Sequence, residues 1–153
     1  MGRVLNEGEL LKRKVEVLCL DMKDGRNGTL EGFLDRGADF VHSCLSGEER
    51  RVPVLVHCSM GKSRSVSIVL AYLMKHRGLS LRQSLSLTRS KRQRAYPLLK
   101  FWRELDSYEQ ALTGSSGTLP MEQVVQLHAE TQAAKRAGTL VGKLKKMNVM
   151  GFS

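Results

Sequence analysis

The sequence predicts an α/β protein, and three features of the chain indicate that class. Two short runs rich in β-branched and aliphatic residues, residues 15–20 and 51–57, have the length and composition of strands. Each run is followed by a segment in which apolar residues recur at helical spacing. Strands that alternate with helices are typical of a sheet covered by helices. We therefore expect one such domain in residues 1–112.

Two helices are predicted around the second strand. Before it, apolar residues between Leu30 and Leu45 recur at helical spacing, and Thr29 is the expected N-cap. After it, residues 66–75 (VSIVLAYLMK) are apolar on almost every side. A helix of that kind belongs in the middle of a core.

Two further helices follow before residue 113. Gly78 is expected to end the apolar helix, and Ser80 to cap the next one. Pro97 is expected to open an amphipathic helix. Its apolar face consists of Leu98, Phe101, Trp102, Leu105, Tyr108 and Leu112.

Length and composition exclude several classes. The chain has 153 residues, of which 41% are hydrophobic and 26% charged, so it is neither collagen-like nor wholly disordered. No apolar run approaches the roughly 18 residues that a membrane span needs, and no signal segment is evident. We expect a cytoplasmic protein, with the nucleus as a second candidate location. Residues 113–153 are expected to be a linker (113–120) and a basic C-terminal extension. The extension is expected to contain a helix over 121–136 with Val124, Val125 and His128 on one side. Its basic end is expected to be a solvated tail or, as a weaker alternative, to touch a membrane surface or fold onto a partner.

The net charge of +10 is concentrated in the middle of the chain. Residues 51–113 carry 12 basic and 3 acidic side chains, whereas residues 1–50 carry 8 and 10. The basic run RSKRQR (residues 89–94) is either a solvated helix end or a rim that attracts acidic or multiply phosphorylated substrates. Nucleic acid is not an expected partner, because only 5% of residues are aromatic and Phe101 and Trp102 fit a core.

The cysteine content indicates a reducing compartment. Three cysteines without a secretory signal do not suggest a disulfide framework. We expect Cys19 and Cys44 to be small buried residues. No CxxC pair occurs, and the four histidines have no metal-ligand spacing, so we expect no metal.

A cysteine loop lies between the second strand and the apolar helix, in residues 54–65 (VLVHCSMGKSRS). Backbone N–H groups in a tight loop before a helix converge on one point, where the helix dipole adds positive potential. Arg64 supplies a planar fork that fits two oxygens of a phosphate group. Cys58 faces that positive field, so we expect a lowered pKa and a nucleophilic thiolate. The sequence therefore predicts a thiol that attacks phosphorus.

The letters HCSMGKSRS resemble the HCxxGxxR(S/T) signature of protein tyrosine phosphatases, and the flanking residues resemble the dual-specificity branch. The resemblance runs from about Arg3 to Leu112. It implies a phosphatase-like sheet flanked by helices, shortened at the N-terminus because the usual first strands have no counterpart before Gly2. It also implies a dual-specificity protein phosphatase, which dephosphorylates phosphotyrosine and phosphoserine or phosphothreonine in proteins without a cofactor.

The resemblance assigns a role to each residue of the loop. Cys58 is the nucleophile, and Ser65 matches the hydroxyl that helps the thiolate to leave in the second step. His57 matches the residue that orients the loop. The residues expected to bind the phosphoryl group are Ser59, Met60, Gly61, Lys62, Ser63 and Arg64.

The family also requires an aspartic acid that protonates the leaving oxygen. Asp21 and Asp24 both follow the first strand. In the family, the acid lies a fixed distance before the helix whose end resembles the letters GADF (residues 37–40 here), and the resemblance therefore favours Asp24. Asp24 also lies in a glycine-rich loop. The alternative is that Asp24 has a purely structural role in a turn.

Two departures from the family pattern are expected to matter. Without the usual first strands, residues 52–57 would expose an open sheet edge. Leu98 stands where the family often has asparagine after proline, so a cap or loop hydrogen bond is lost.

Two other functions remain open from the sequence alone. A shortened domain could retain the anion cradle but lack turnover, and would then be a phosphoprotein-binding module. Lys62 also occurs in a branch that acts on phosphoinositides, so lipid phosphate is a further alternative.

Overall fold

The computed structural model describes residues 15–23, 28–46 and 53–126, together with 129, 132–133 and 136–137. Four helices have both ends within these ranges: α1 (Phe33–Ser46), α2 (Arg64–Arg77), α3 (Leu81–Lys91) and α4 (Leu99–Thr113). Helix α2 is central, because it contacts each of the other three. Residues 121–126 are also helical. No helix in these ranges is long and apolar enough to cross a membrane.

The predicted sheet, and with it the α/β class, is wrong for the part of the chain that the structure describes, which is helical and contains no strand. No backbone hydrogen bond joins the described residues of 15–20 to those of 53–57. The sequence signal nevertheless has a physical basis. Val54 and Val56 pack against the core, whereas Leu55 between them is 83% exposed. Alternation reports which side chains face the core, but a strand also needs a hydrogen-bonded neighbour.

The core is built around α2, as its all-round apolar sequence predicts. Val66, Ile68 and Leu70 are all buried, although they lie on different sides of the helix. Helix α1 approaches closely at Gly37, where an added Cβ would lie 2.7 Å from Ile68 Cδ1. The glycine that weakens α1 locally is therefore the one that lets the two helices pack.

Helix α1 begins later than the sequence predicts. It starts at Phe33, after a turn in which Gly32 has a φ of 71°. Thr29, the predicted N-cap, accepts a hydrogen bond from the Glu31 N–H (3.1 Å) and donates one to Glu104 (2.7 Å). Thr29 thus attaches the entry to α1 to helix α4.

The predicted ends of the next two helices are confirmed. Gly78 ends α2 in the left-handed conformation, and Ser80 and Gln83 form a reciprocal capping box on α3. Helix α4 begins at Leu99, two residues after Pro97. Its buried face contains Phe101, Trp102, Leu105 and Glu109, whereas Leu98 and Leu112 are exposed.

The core extends past the predicted domain end. Leu119 is 8% exposed and Val124 is 1% exposed, so both pack with the helices. Val125, predicted on the same face as Val124, is 51% exposed. His128, the third member of that face, lies outside the described residues.

Candidate active site

The cysteine loop joins residues 53–57 to the first turn of α2. Cys58 Sγ lies 3.3 Å from Ser65 Oγ at the start of the helix. The backbone N–H groups of Met60, Lys62 and Ser65 also form hydrogen bonds with the sulfur. The loop therefore wraps around Cys58 with its donors pointing inward, as a cradle for negative charge.

Burial and hydrogen bonding have opposite effects on the pKa of the Cys58 thiol. Burial raises the pKa of the thiol, but the Ser65 hydroxyl and the three backbone N–H groups stabilise the thiolate more strongly. Together they lower the pKa from 9.0 to about 6. At neutral pH, Cys58 is therefore mostly a thiolate, which is the nucleophilic form.

Gly61 forms the tight point of the loop, with a φ of 59°. Its carbonyl oxygen accepts a hydrogen bond of 2.8 Å from Arg92 Nε. Because the peptide unit is planar, this bond also orients the N–H of Lys62, which belongs to the same peptide. Arg92 lies in the basic run that the sequence suggested as a rim or a solvated helix end, and no motif identified it as a support for the loop.

The chain that enters α4 supports the other side of the loop. The Tyr96 N–H donates to Lys62 O at 2.8 Å, and the Leu98 N–H donates to Ser63 Oγ at 2.9 Å. The side chain at position 98 does not cap α4, as the sequence departure predicts. The loop hydrogen bond, however, is made by the backbone of Leu98.

Arg64 links the cysteine loop to the first described segment. Its guanidinium donates to Ser59 Oγ (2.9 Å) within the loop and to Met22 O (3.1 Å). Met22 is buried and lies between the two candidate acids in sequence. The arginine expected to hold phosphate is therefore also anchored beside the segment expected to supply the proton.

The two candidate acids differ in what the structure describes. Asp21 is exposed, and Asp24 lies outside the described residues. Helix α4 holds the chain that follows them: Lys100 Nζ donates to Gly28 O (2.6 Å), and Glu104 accepts from the Leu30 N–H (2.6 Å). The preference for Asp24 over Asp21 stays a prediction.

The exposure of three other residues bears on their predicted roles. His57 is exposed, and in the described part of the chain it makes no hydrogen bond to the loop; its orienting role stays a prediction. Cys44 is partly buried, but Cys19 is exposed, so its prediction as a buried residue is wrong. The alternation in residues 15–20 places Cys19 on the outer side, opposite Leu18 and Leu20.

Comparison with known proteins assigns this arrangement to a family. Residues 3–111 match the family "Dual specificity phosphatase, catalytic domain". Dual specificity protein phosphatase 1 of Arabidopsis thaliana is 42% identical over 89 residues, which are 58% of this chain and 43% of the relative. Two human relatives are dual specificity protein phosphatase 21, 36% identical over 95 residues (62% and 48%), and dual specificity protein phosphatase 18, 35% identical over 106 residues (69% and 55%).

The matched regions are shorter than the relatives themselves. This chain spans about half the length of those three proteins. The family match nevertheless covers most of this chain and contains the whole cysteine loop from Cys58 to Ser65. On this evidence the chain belongs to the dual specificity phosphatase catalytic-domain family.

Proposed function

We propose that this protein hydrolyses phosphate monoesters on proteins through a phosphocysteine intermediate. The observation that carries the proposal is the set of donors around Cys58 Sγ, which lowers the pKa of the thiol to about 6. A thiolate at the bottom of an anion cradle is both the nucleophile and part of the phosphate site. A buried structural cysteine has no need of such donors.

In the first step, Cys58 Sγ attacks phosphorus and forms an S–P bond while the bond to the leaving oxygen breaks. Arg64 and the loop N–H groups hold the equatorial phosphoryl oxygens, where negative charge is spread in the transition state. Asp24 gives its proton to the leaving oxygen, so the product is an alcohol or phenol. Asp21 is the alternative donor.

In the second step, water attacks the phosphocysteine and inorganic phosphate leaves. The aspartate takes a proton from the water, and the S–P bond breaks to return the thiolate. The Ser65 hydroxyl, 3.3 Å from Sγ, stabilises the sulfur as it becomes negative again. The enzyme returns to its starting protonation state.

The charge distribution supports an acidic phosphoprotein as substrate. Basic residues exceed acidic ones by nine in residues 51–113, and Arg92 of the basic run reaches the loop itself. The names of the relatives support both phosphotyrosine and phosphoserine or phosphothreonine as substrates. A cytoplasmic or nuclear location fits, because reducing conditions keep Cys58 as a free thiol.

The test is turnover of phosphotyrosine and phosphothreonine peptides, and of a phosphoinositide, by the purified chain beside its Cys58→Ser variant. We expect phosphate release from both peptides, and none from the variant. Asp24→Asn should slow peptide hydrolysis by about a hundredfold, a typical effect of losing a general acid, and Asp21→Asn should not. A folded chain that binds the peptides without releasing phosphate would instead be a binding module, and release only from a phosphoinositide would make it a lipid phosphatase.

A further inference from the structure

The C-terminal segment (residues 118–126) lies beyond the family match, yet two helices hold it in place. The Thr118 N–H and hydroxyl donate to the carboxylate of Glu109 on α4, at 2.7 and 2.8 Å. Arg82 on α3 donates to Thr118 O at 3.0 Å and to Gln123 Oε1 at 2.7 Å. Val124, at 1% exposed, is as deeply buried as the centre of the core. The segment is therefore docked by charge-assisted hydrogen bonds and by apolar burial.

Three hydrogen bonds, joined through the residues Tyr96 and Lys62, lead from the C-terminal segment to the nucleophile. The Tyr96 hydroxyl donates to Val124 O at 3.3 Å, and the Tyr96 N–H donates to Lys62 O at 2.8 Å. The Lys62 N–H in turn donates to Cys58 Sγ. The Tyr96 ring also packs edge-on against Trp102, with 5.8 Å between ring centroids, so its position depends on both the core and the segment.

We infer that the C-terminal segment positions the cysteine loop: Val124 fixes Tyr96, and Tyr96 fixes the carbonyl of Lys62, whose own N–H faces the sulfur. Tyr96 and Val124 are positioning residues, since neither touches the reacting atoms. Tyr96 holds the carbonyl on one side of the Lys62 Cα, while Arg92 holds the Gly61 carbonyl on the other. The inference rests on the proposed role of Cys58, but not on the identity of the acid.

The main test compares two neighbouring valines in the full chain. Val124→Ala removes buried methyl groups, whereas Val125→Ala removes them from a side chain that is 51% exposed. The readout is the pH midpoint of alkylation of Cys58 by iodoacetamide, followed on the Cys58 peptide by mass spectrometry because Cys19 is also exposed. We expect Val124→Ala to lower the ratio of thiolate to thiol about threefold at a given pH, equivalent to half a pKa unit, and Val125→Ala to match the unmodified chain.

Tyr96→Phe is a second test, and it removes fewer packed atoms than Val124→Ala. It keeps the ring and the backbone N–H, and removes only the hydroxyl that reaches Val124 O. We expect the alkylation midpoint to move upward, as in Val124→Ala, with a smaller loss of melting temperature. This variant decides the question if Val124→Ala does not fold.

The inference is overturned if the variants melt earlier but keep the alkylation midpoint of the unmodified chain. The C-terminal segment would then be a structural part of the domain only. Alkylation of Cys58 does not need turnover. Failure of the proposed function would therefore appear separately: the chain without substitutions would have a reactive Cys58 but release no phosphate.

Discussion

At Cys58, four hydrogen bonds lower the pKa of the thiol, whereas burial of the sulfur raises it. The balance of these two effects sets the pH range in which the nucleophile is active. The pKa of about 6 lies well below the ordinary value of 9.0. As the pH falls through 6, the thiolate takes up a proton and the nucleophile is lost. As the pH rises toward 7, nearly all of the sulfur becomes thiolate.

The first prediction concerns this titration. We expect kcat/KM for a small aryl phosphate to fall about tenfold for each unit of pH below 6, after correction for ionisation of the substrate. The pH profile of iodoacetamide alkylation at Cys58 should show the same midpoint. A midpoint near 9 in both profiles would mean that the loop donors do not stabilise the thiolate.

The second prediction concerns Gly61, whose φ of 59° is unfavourable for other residues. Gly61→Ala should cost about 1 to 2 kcal/mol of stability from the left-handed backbone alone. Its Cβ would also lie 2.9 Å from an Arg92 guanidinium nitrogen. Arg92 orients the peptide between Gly61 and Lys62, whose N–H faces Cys58 Sγ. We therefore expect kcat/KM to fall about tenfold or more.

Gly78→Ala is the matched control for Gly61→Ala. Gly78 has a φ of 65°, but an added Cβ there meets nothing within 4 Å. Chemical denaturation should show a similar loss of stability in the two variants, with unchanged kcat/KM in Gly78→Ala. Equal losses of activity would show that the loop is sensitive to stability rather than to its own geometry.

At the scale of elements, Glu109 joins three parts of the chain. Its carboxylate is 1% exposed and accepts hydrogen bonds from the Leu81 N–H (2.6 Å), the Thr118 N–H and the Thr118 hydroxyl. One acidic side chain of α4 thus satisfies the first N–H of α3 and holds the C-terminal segment. All three of its partners are donors, which only a carboxylate can satisfy in full.

The third prediction is that Glu109→Gln destabilises the domain by about 1 to 3 kcal/mol, the cost of an unsatisfied buried donor. The new amide NH₂ would face an N–H or a hydroxyl hydrogen, whichever way the side chain turns. Urea denaturation measures the loss, and Glu122→Gln, at an exposed position, is the control. Equal stability of the two variants would contradict the role given to Glu109.

Local signals in the sequence predict the helices well, because each signal is satisfied within a few residues. The capping box at Ser80 and the left-handed Gly78 follow from the chemistry of those residues alone. The start of α1 was misplaced because Thr29 bonds to Glu104, which is 75 positions away. The support of Gly61 by Arg92 was missed for the same reason, since no local pattern marks it.

For the whole molecule, the uneven charge predicts how substrates are attracted. Residues 51–113 hold most of the positive excess of a chain with net charge +10. Attraction between exposed charges is screened by salt, with a Debye length of about 10 Å at 0.1 M and about 3 Å at 1 M. The charge should therefore affect capture of the substrate more than the chemical step.

The fourth prediction is that KM for an acidic phosphopeptide rises steeply with sodium chloride while kcat changes little. We expect about a tenfold rise in KM between about 0.1 and 1 M salt, by analogy with other steered associations. The control peptide has asparagine and glutamine in place of its acidic residues, and its KM should rise much less. Equal salt dependence of the two peptides would exclude the basic run as a substrate surface.

The sheet and the C-terminal packing illustrate what the sequence alone does not determine. Residues 53–57 keep the alternating burial of a strand, but pairing depends on a distant neighbour that no local signal reveals. The predicted linker is rich in small polar residues, yet Thr118 and Leu119 are anchored by Glu109 and the core. The cysteine loop was recognisable because a short, ordered motif contains nearly all of its chemistry.

The most direct test of the central claim is to detect the phosphoryl group on Cys58 during turnover. Ser65→Ala should slow the second step, because the departing thiolate loses the hydroxyl 3.3 Å away. The measurement is mass spectrometry of the Cys58 peptide after rapid denaturation of this variant in the presence of an aryl phosphate. The account predicts a peptide heavier by one phosphoryl group, absent in Cys58→Ser. Continued phosphate release with an unmodified Cys58 peptide would contradict it.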